Sequence, residues 1–550
     1  MEVLPEFAVF ARFFTKDATF RCVVSMNAAL MLSDFQKVFI AIIYRPHLCA
    51  KISKIIVNIR ANSNTKYLLR KDVYIPHPYF RFPIDRLYFC RMIIFILFSI
   101  CFGISSTAPT EDLVSTLPGL PISAKMPKMY SGYLHGGKSF QLHYVFVLSS
   151  QNHSKVPLML WLNGGPGCSS MLGFFQEIGP YRISKNGEHL LENPYSWDKI
   201  GHVLYLESPA CVGYSYKENQ SNCTSSDTSS KLQNYNALLS FLKKFPEYKF
   251  NPLYIMGESY GGIYVPLLTQ YIHDHKNSNK LNLKGYSIIN GMLSYEMSFN
   301  TKLYYGYYHG FLSSKTWIKL RRYCCNHVNC LFTRNLIFPR CQEAIEEAMS
   351  YESNPNLNMY DVTGICYNSN GKFVNSTNSP NYMRQLMSAW AKEKYVGRKV
   401  YYTRTESGLP CEFVDNLLKY MNSKDLRRAF NIPSHLREWE TCSDFPYGRE
   451  NFNMKNVILD LVSGNVKGLL IYGDQDTVCD FLMGEWFVDN LKLPEELPWS
   501  SWLAGGQIGG FGKSVKNLRY TTIRGASHEV PQKKPLAAFT IVKDFVLNSM

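Results

Sequence analysis

Four short stretches of the chain are almost wholly apolar, and each stops at a glycine or a polar turn. They are Val156–Leu162 before Asn163-Gly164-Gly165, His202–Leu206 before Glu207-Ser208, Leu253–Met256 before Gly257-Glu258-Ser259, and Val466–Tyr472 before Gly473-Asp474. Runs this short and this apolar suit strands buried on both faces, where no alternate residue meets water. Tyr130–Leu148 predicts a hairpin of two aromatic-rich strands around Gly136-Gly137. Between Asp227 and Tyr248, the residues Leu232, Leu238, Leu239, Leu242 and Phe245 fall at helical spacing and predict an inward apolar face. Buried strands alternating with helices predict an α/β fold, with a largely parallel central sheet and helices on both faces. From about Met292 to Met421 the alternation stops in favour of Tyr, Cys, Asn and short helical segments. The expected organisation is a core over 109–291, an inserted cap over 292–421 and the rest of the core over 422–550.

One apolar stretch stands apart from the sheet. Met92–Ile104 is thirteen residues long, short of the roughly 20 that a membrane span needs but suited to the h-region of a signal peptide. Small residues, Ser105 to Ala108, follow it and precede Pro109. The expectation is a signal peptide over 92–108 starting at Met92, preceded by a non-native extension over 1–91. A signal anchor with Arg81, Arg86 and Arg91 on the cytoplasmic side is the alternative. Both readings put the rest of the chain in a lumen or outside the cell, lysosomal or secreted, the first with no stable membrane span in the mature form.

Charge and cysteine usage agree with that compartment. Residues 1–91 hold 14 Lys/Arg against 6 Asp/Glu, half of the formal +16, and the remainder is spread without a long basic run. No nucleic-acid partner is expected from such a distribution. Of 15 cysteines, 11 follow residue 108, and five fall between Cys324 and Cys366. Because His327 has no second histidine at ligand spacing, this cluster reads as disulfides rather than zinc, and no metal or cofactor is expected. Sequons at Asn152, Asn219, Asn222 and Asn375 read as glycosylation sites.

The chemistry is carried by Gly257-Glu258-Ser259-Tyr260-Gly261, which lies between an apolar strand and a helical segment. A sharp strand-to-helix turn of this kind exposes the serine alone and needs small residues on either side of it. A serine hydroxyl also needs a base, and the base an orienting acid, in the chain order Ser, Asp, His. Asp476 ends one apolar strand in Gly473-Asp474-Gln475-Asp476, and His528 follows another, Tyr520–Gly525. Spacing alone leaves Asp474 open as the acid. The glycine-rich turn Asn163-Gly164-Gly165-Pro166-Gly167 could bring backbone donors to a developing oxyanion.

Together, Trp161–Ser170 (WLNGGPGCSS), Gly257–Pro266 (GESYGGIYVP), Ile471–Phe481 (IYGDQDTVCDF) and Gly525–Pro531 (GASHEVP) resemble the serine carboxypeptidase family, nearest its animal lysosomal members. The likeness runs from about Leu117 to the C-terminus. It implies an α/β-hydrolase fold with a cap, and acyl-enzyme removal of C-terminal residues from peptides with a free C-terminus. It implies Ser259 as nucleophile, Asp476 as acid and His528 as base, with Gly165 and Tyr260 donating to the oxyanion. Asn163, Gly164, Glu177 and Glu258 match the family's site for the substrate's terminal carboxylate, and Glu529 matches the pocket of the departing residue. The same resemblance implies disulfides Cys168–Cys442, Cys324–Cys341, Cys325–Cys330 and Cys366–Cys411, a free Cys479, and no clear partner for Cys211 or Cys223. The chain departs from the family at Cys211 and Ser527 (usually Gly), Asp480 (usually Asn) and Glu529 (often Met).

Two side-chain carboxyls facing a third from the substrate cannot all be ionised, so such a site holds a proton and favours acidic pH. An ester hydrolase or acyltransferase could use the same triad, but the Asn163–Glu177–Glu258 set speaks against it. The further alternative is a protective, scaffolding role toward lysosomal glycosidases, with a homodimer as the candidate assembly. N-terminal sequencing of the native protein should begin at about residues 106–110, where small residues follow the h-region. Peptides from residues 1–80 in mature material would contradict the signal-peptide reading.

Overall fold

The computed structural model describes residues 109–548, apart from 122–123, 152–155, 219–222, 326–329, 331, 337, 355, 366–401 and 404–414. The signal segment, the four sequons and the Cys366–Cys411 pair therefore lie outside the described residues. A twelve-stranded sheet organises the described part. In chain order its strands are β1 (Leu113–Val114), β2 (Met129–His135), β3 (Phe140–Val147), β4 (Leu158–Leu162), β5 (His202–Leu206) and β6 (Tyr216–Lys217). They continue with β7 (Leu253–Glu258), β8 (Leu283–Ile289), β9 (Lys467–Gly473), β10 (Glu495–Ala504), β11 (Gln507–Val515) and β12 (Leu518–Ile523). Across the sheet the order is β1-β2-β3-β5-β4-β7-β8-β9-β12-β11-β10, with β6 added to β3. The strands from β5 to β12 in that order run parallel, and both edges are antiparallel.

Alternate residues of the central strands enter two separate cores. Leu158, Leu160 and Leu162 join Ile255 and Leu470 on one face, while Met159 and Trp161 join Met256 and Ile471 on the other. This double burial explains the unbroken apolar runs. The longer helices of the described residues are α1 (Asp227–Lys244), α2 (Gly261–Asp274), α3 (Tyr295–Tyr308), α4 (Ser314–Cys324), α5 (Pro339–Ala348), α6 (Lys455–Ser463), α7 (Phe481–Asn490) and α8 (Pro535–Asn548). The first core takes residues of α1, α2, α6 and α7, and the second takes Ile541, Val542 and Phe545 of α8.

Helix α1 departs from its predicted face. Leu238, Leu242 and Phe245 are buried as expected, but Leu232 and Leu239 are exposed, and Ser230, Gln233 and Asn234 point inward instead. Two of those polar side chains serve the loop after β5, where Gln233 Oε1 accepts from the Ala210 N–H at 2.8 Å and Asn234 bonds Ser208. An unpaired buried backbone donor costs about 1–3 kcal/mol, comparable to what burying one more leucine would gain. The hairpin β10–β11 was not anticipated either. Nearly all of β10 is exposed and its register shifts repeatedly, so no clean alternation marks it.

In the inserted region, α4 and α5 are joined through Cys324–Cys341, with Cys325–Cys330 beside them. The helix Asp415–Met421 packs through Leu417, Tyr420 and Met421 into the second core. Cys168–Cys442 forms as the resemblance implied, and Cys211 pairs with Cys223. Among the described residues no helix is long and apolar enough to cross a membrane.

Candidate active site

Asn163 follows β4, Ser259 follows β7, Asp476 lies beyond β9 and His528 beyond β12. These strands are parallel, so the four loops leave the sheet at its C-terminal edge, where open α/β sheets place their ligands. Ser259 has φ +57°, a left-handed conformation that costs a non-glycine residue energy and must be held by its surroundings. Its N–H donates to Ile289 O at 3.0 Å, and its carbonyl accepts from the Gly262 and Met292 N–H groups at 2.9 Å each. A Cβ at Gly257 would lie 2.4 Å from Leu162 O, and one at Gly262 would lie 2.6 Å from Met292 N. At Gly261 the nearest atom is an ordinary 3.5 Å away, so the steric demand falls on Gly257 and Gly262 rather than evenly on both flanks.

The glycine-rich loop after β4 lies directly against this turn. A Cβ on Gly164 would stand 2.5 Å from the Tyr260 nitrogen and 2.6 Å from Ser259 Cβ. The Cys168–Cys442 disulfide anchors the far end of the loop, which also carries Gly165.

His528 and Asp476 are both buried, with His528 Nδ1 2.7 Å from Asp476 Oδ2. Asp476 also accepts from the Val478 and Cys479 N–H groups at 2.8 and 3.2 Å. This contact at Nδ1 leaves the Nε2 nitrogen as the one that can take a proton from a nucleophile. Asp474 does different work. Its Oδ1 accepts from Gly525 N–H at 2.7 Å and from Gln475 Nε2 at 2.9 Å, tying the acid loop to the strand before His528. Beside the acid, Cys479 is a buried free thiol whose pKa burial pushes well up, the nearby Asp476 charge adding to it.

Asn163, Glu177 and Glu258 form one buried cluster. Asn163 Nδ2 donates to Glu258 Oε1 at 2.6 Å and to Glu177 Oε1 at 3.1 Å, while its Oδ1 accepts from Trp161 Nε1 and Gly173 N–H. Burial raises the pKa of both glutamates. For Glu258 the charges of Glu177 and Glu529 add to burial, whereas for Glu177 the hydrogen bond from Glu258 opposes it. Two carboxyls this close and this buried hold a proton between them. Glu529, buried next to His528, belongs to the same electrostatic neighbourhood.

Three groups that sequence reasoning missed complete the arrangement. Asn290, at the end of β8, donates through Nδ2 to the Ser527 and His528 carbonyls at 2.9 and 2.7 Å and accepts Gly473 N–H at 2.7 Å. A polar residue closing an apolar strand was the available signal. Arg182 donates to the carbonyls of Glu177 and Pro531 at 3.2 and 3.0 Å. The segment Asn358–Val362 of the inserted region clasps both loops. Met359 O accepts Thr477 N–H and Val362 N–H donates to Gln475 O, each at 3.0 Å, while Tyr360 O accepts His528 N–H at 2.8 Å. The Tyr360 ring meets the His528 imidazole edge-on at 4.9 Å.

Comparison with known proteins fits this geometry. Residues 118–548 match the serine carboxypeptidase family, peptidase S10. The chain is 36% identical over 459 residues to the lysosomal protective protein of Mus musculus, covering 80% of this chain and 95% of the relative. It is 35% identical over 470 residues to the serine carboxypeptidase ctsa-4.1 of Caenorhabditis elegans, covering 83% and 97%. In fold it is similar to a prohormone-processing carboxypeptidase of Saccharomyces cerevisiae, with a TM-score of 0.63, 20% identity, and 80% and 96% of the two chains covered. The chain belongs to the serine carboxypeptidase family, and its fold is the α/β-hydrolase fold. It is a hydrolase of the serine carboxypeptidase type.

Proposed function

We propose that Ser259, Asp476 and His528 are the triad of an acid-acting exopeptidase and that Asn163, Gly164, Glu177 and Glu258 hold the free carboxylate of its peptide substrate. The observation that carries this reading is the buried pair Glu177–Glu258, bridged by Asn163, in which Glu258 directly precedes Ser259. Ser259 Oγ attacks the last peptide carbonyl while His528 takes its proton. Gly165 and Tyr260 N–H groups receive the oxyanion, and the imidazolium then protonates the departing amine. Water attacks the acyl-enzyme by the same path in reverse. The protonated carboxyl of the Glu177–Glu258 pair donates to the substrate's terminal carboxylate, which an ester or amide end lacks.

Glu529 belongs to the pocket of the departing residue in this reading, and its carboxylate favours Lys or Arg there. The same reading places the mature protein in a lysosome or outside the cell after removal of residues 92–108, supported by its cysteine pairing and by kinship to a lysosomal protective protein. A second copy of the chain and lysosomal glycosidases are its further partners, detectable by sedimentation of the purified protein alone and in mixtures.

Three outcomes test the assignment. Ser259→Ala should abolish turnover, and Asp476→Asn should lower kcat by roughly 10⁴-fold, far more than Asp474→Asn. The reverse order for the two aspartates would move the acid to Asp474. Peptide KM should rise as pH goes from about 5 to 7.5 and the carboxyl pair loses its shared proton, with a weaker rise for substrates lacking a free carboxylate. Equal pH dependence for both substrate classes would remove the pair from recognition. Glu529→Met should lower the ratio of kcat/KM for C-terminal Lys over Leu, and an unchanged ratio would take Glu529 out of the pocket.

A further inference from the structure

Behind the turn that carries Ser259 lies a buried carboxylate that the proposed mechanism does not use. Asp227 is the first residue of α1 and is 1% exposed. Its Oδ1 accepts the phenol hydroxyl of Tyr260 at 2.7 Å and that of Tyr447 at 3.0 Å. Its Oδ2 accepts the Glu450 and Asn451 N–H groups, each at 2.8 Å, and Asn451 Nδ2 at 3.0 Å. All of these partners are donors, the set an ionised carboxylate can satisfy from both oxygens. Arg449 stands over the Tyr260 ring at 4.9 Å and donates to the Tyr295 hydroxyl at 2.9 Å, which brings a positive charge close to the buried negative one.

Tyr260 follows the nucleophile, and its N–H is one of the two oxyanion donors in the reading above, on which this inference rests. That N–H lies in the peptide linking Tyr260 to Ser259, whose left-handed backbone would gain by relaxing. Upstream, Ser259 is held by Ile289 O. Downstream, the Tyr260 side chain is held at its far end by Asp227 and at its ring by Tyr264 and Tyr447, which meet it edge-on at 5.1 and 5.7 Å. Fixing the phenol fixes the Cα–Cβ direction of Tyr260, and with it the aim of the adjoining N–H.

We propose that Asp227 is a positioning residue for the oxyanion site: by anchoring the Tyr260 phenol it keeps the Tyr260 N–H directed at the oxygen on which charge develops. Deleting one oxyanion donor outright costs about 10²–10³ in kcat, so loosening one should cost about tenfold.

The structure supplies its own control, because Tyr447 bonds the same Asp227 oxygen but is far from Ser259 in sequence and lends no backbone group to the turn. Tyr260→Phe should lower kcat about tenfold and leave KM within about twofold, since the oxyanion forms only in the transition state. Tyr447→Phe should keep kcat within about twofold while losing a comparable amount of thermal stability. Inactivation by a fluorophosphonate, whose P=O group uses the same donors, should slow in Tyr260→Phe and not in Tyr447→Phe. Asp227→Asn is the more direct change, but it turns a donor toward two backbone N–H groups and can fail to fold, so the tyrosine pair decides. Wild-type kcat in Tyr260→Phe, an equal loss in both tyrosine variants, or a loss confined to KM would overturn the proposal. Turnover by Ser259→Ala would instead overturn the triad on which it rests.

Discussion

A carboxylate taken out of water must recover its hydrogen bonds or keep a proton, and the described site is organised around five that are taken out. Breaking a buried ionic partnership costs about 3–5 kcal/mol, so each of these groups dictates where neighbouring loops can run. Asp476 meets the requirement with His528 and two backbone N–H groups. Glu177 and Glu258 meet it by sharing Asn163 and a proton. Asp227 meets it with donors drawn from Tyr260, from Tyr447 and from the turn after it. Glu207 takes His143 Nδ1, Trp439 Nε1 and Tyr214 N–H, each at 2.8 Å, and the Ser169 hydroxyl, so it steadies the loop that carries Gly165.

The parallel centre of the sheet brings the loop ends to one edge, but it does not join them. Joining is done by one side chain and one backbone segment, each of which bonds two loops at once. Asn290 bonds the end of β9 and the carbonyls around His528, and Asn358–Val362 binds the acid and base loops from the inserted region. Asp476 and His528 therefore keep their 2.7 Å contact through bonds that hold their loops, among them those of the His528 N–H and carbonyl.

What the sequence disclosed follows from what is local in it. The strand runs, the turn at Ser259 and the glycines after β4 are contiguous patterns, and each forms where its pattern lies. Whether Asp474 or Asp476 faces His528 depends on the path of a loop, so only coordinates decide it. Asn290, Arg182 and Tyr360 escaped notice because each has a partner that lies far away in the chain and no spacing rule links them. Helix α1 departs from its predicted face because hydrophobic period says nothing about the amide N–H and the hydroxyl waiting beneath the helix, which Gln233 and Asn234 satisfy. Cys211 and Cys223 had no family counterpart to suggest the bond they form.

The close approach of Gly164 to Ser259 and Tyr260 also bears on how this enzyme can diverge. A methyl group at 164 would meet the nucleophile's own Cβ and the Tyr260 nitrogen, so the position is closed to gradual change. Glu529 is differently placed. It stands at the entrance to the short helix Val530–Lys533, whose Pro531 and Gln532 carbonyls are held by Arg182 whatever side chain precedes them. Mutational drift is thus steered away from the loop that abuts Ser259 and toward a neighbouring position whose backbone is secured independently, which, with Glu529 in the role proposed above, lets descendants of this sequence exchange one preference for another without first losing the reaction.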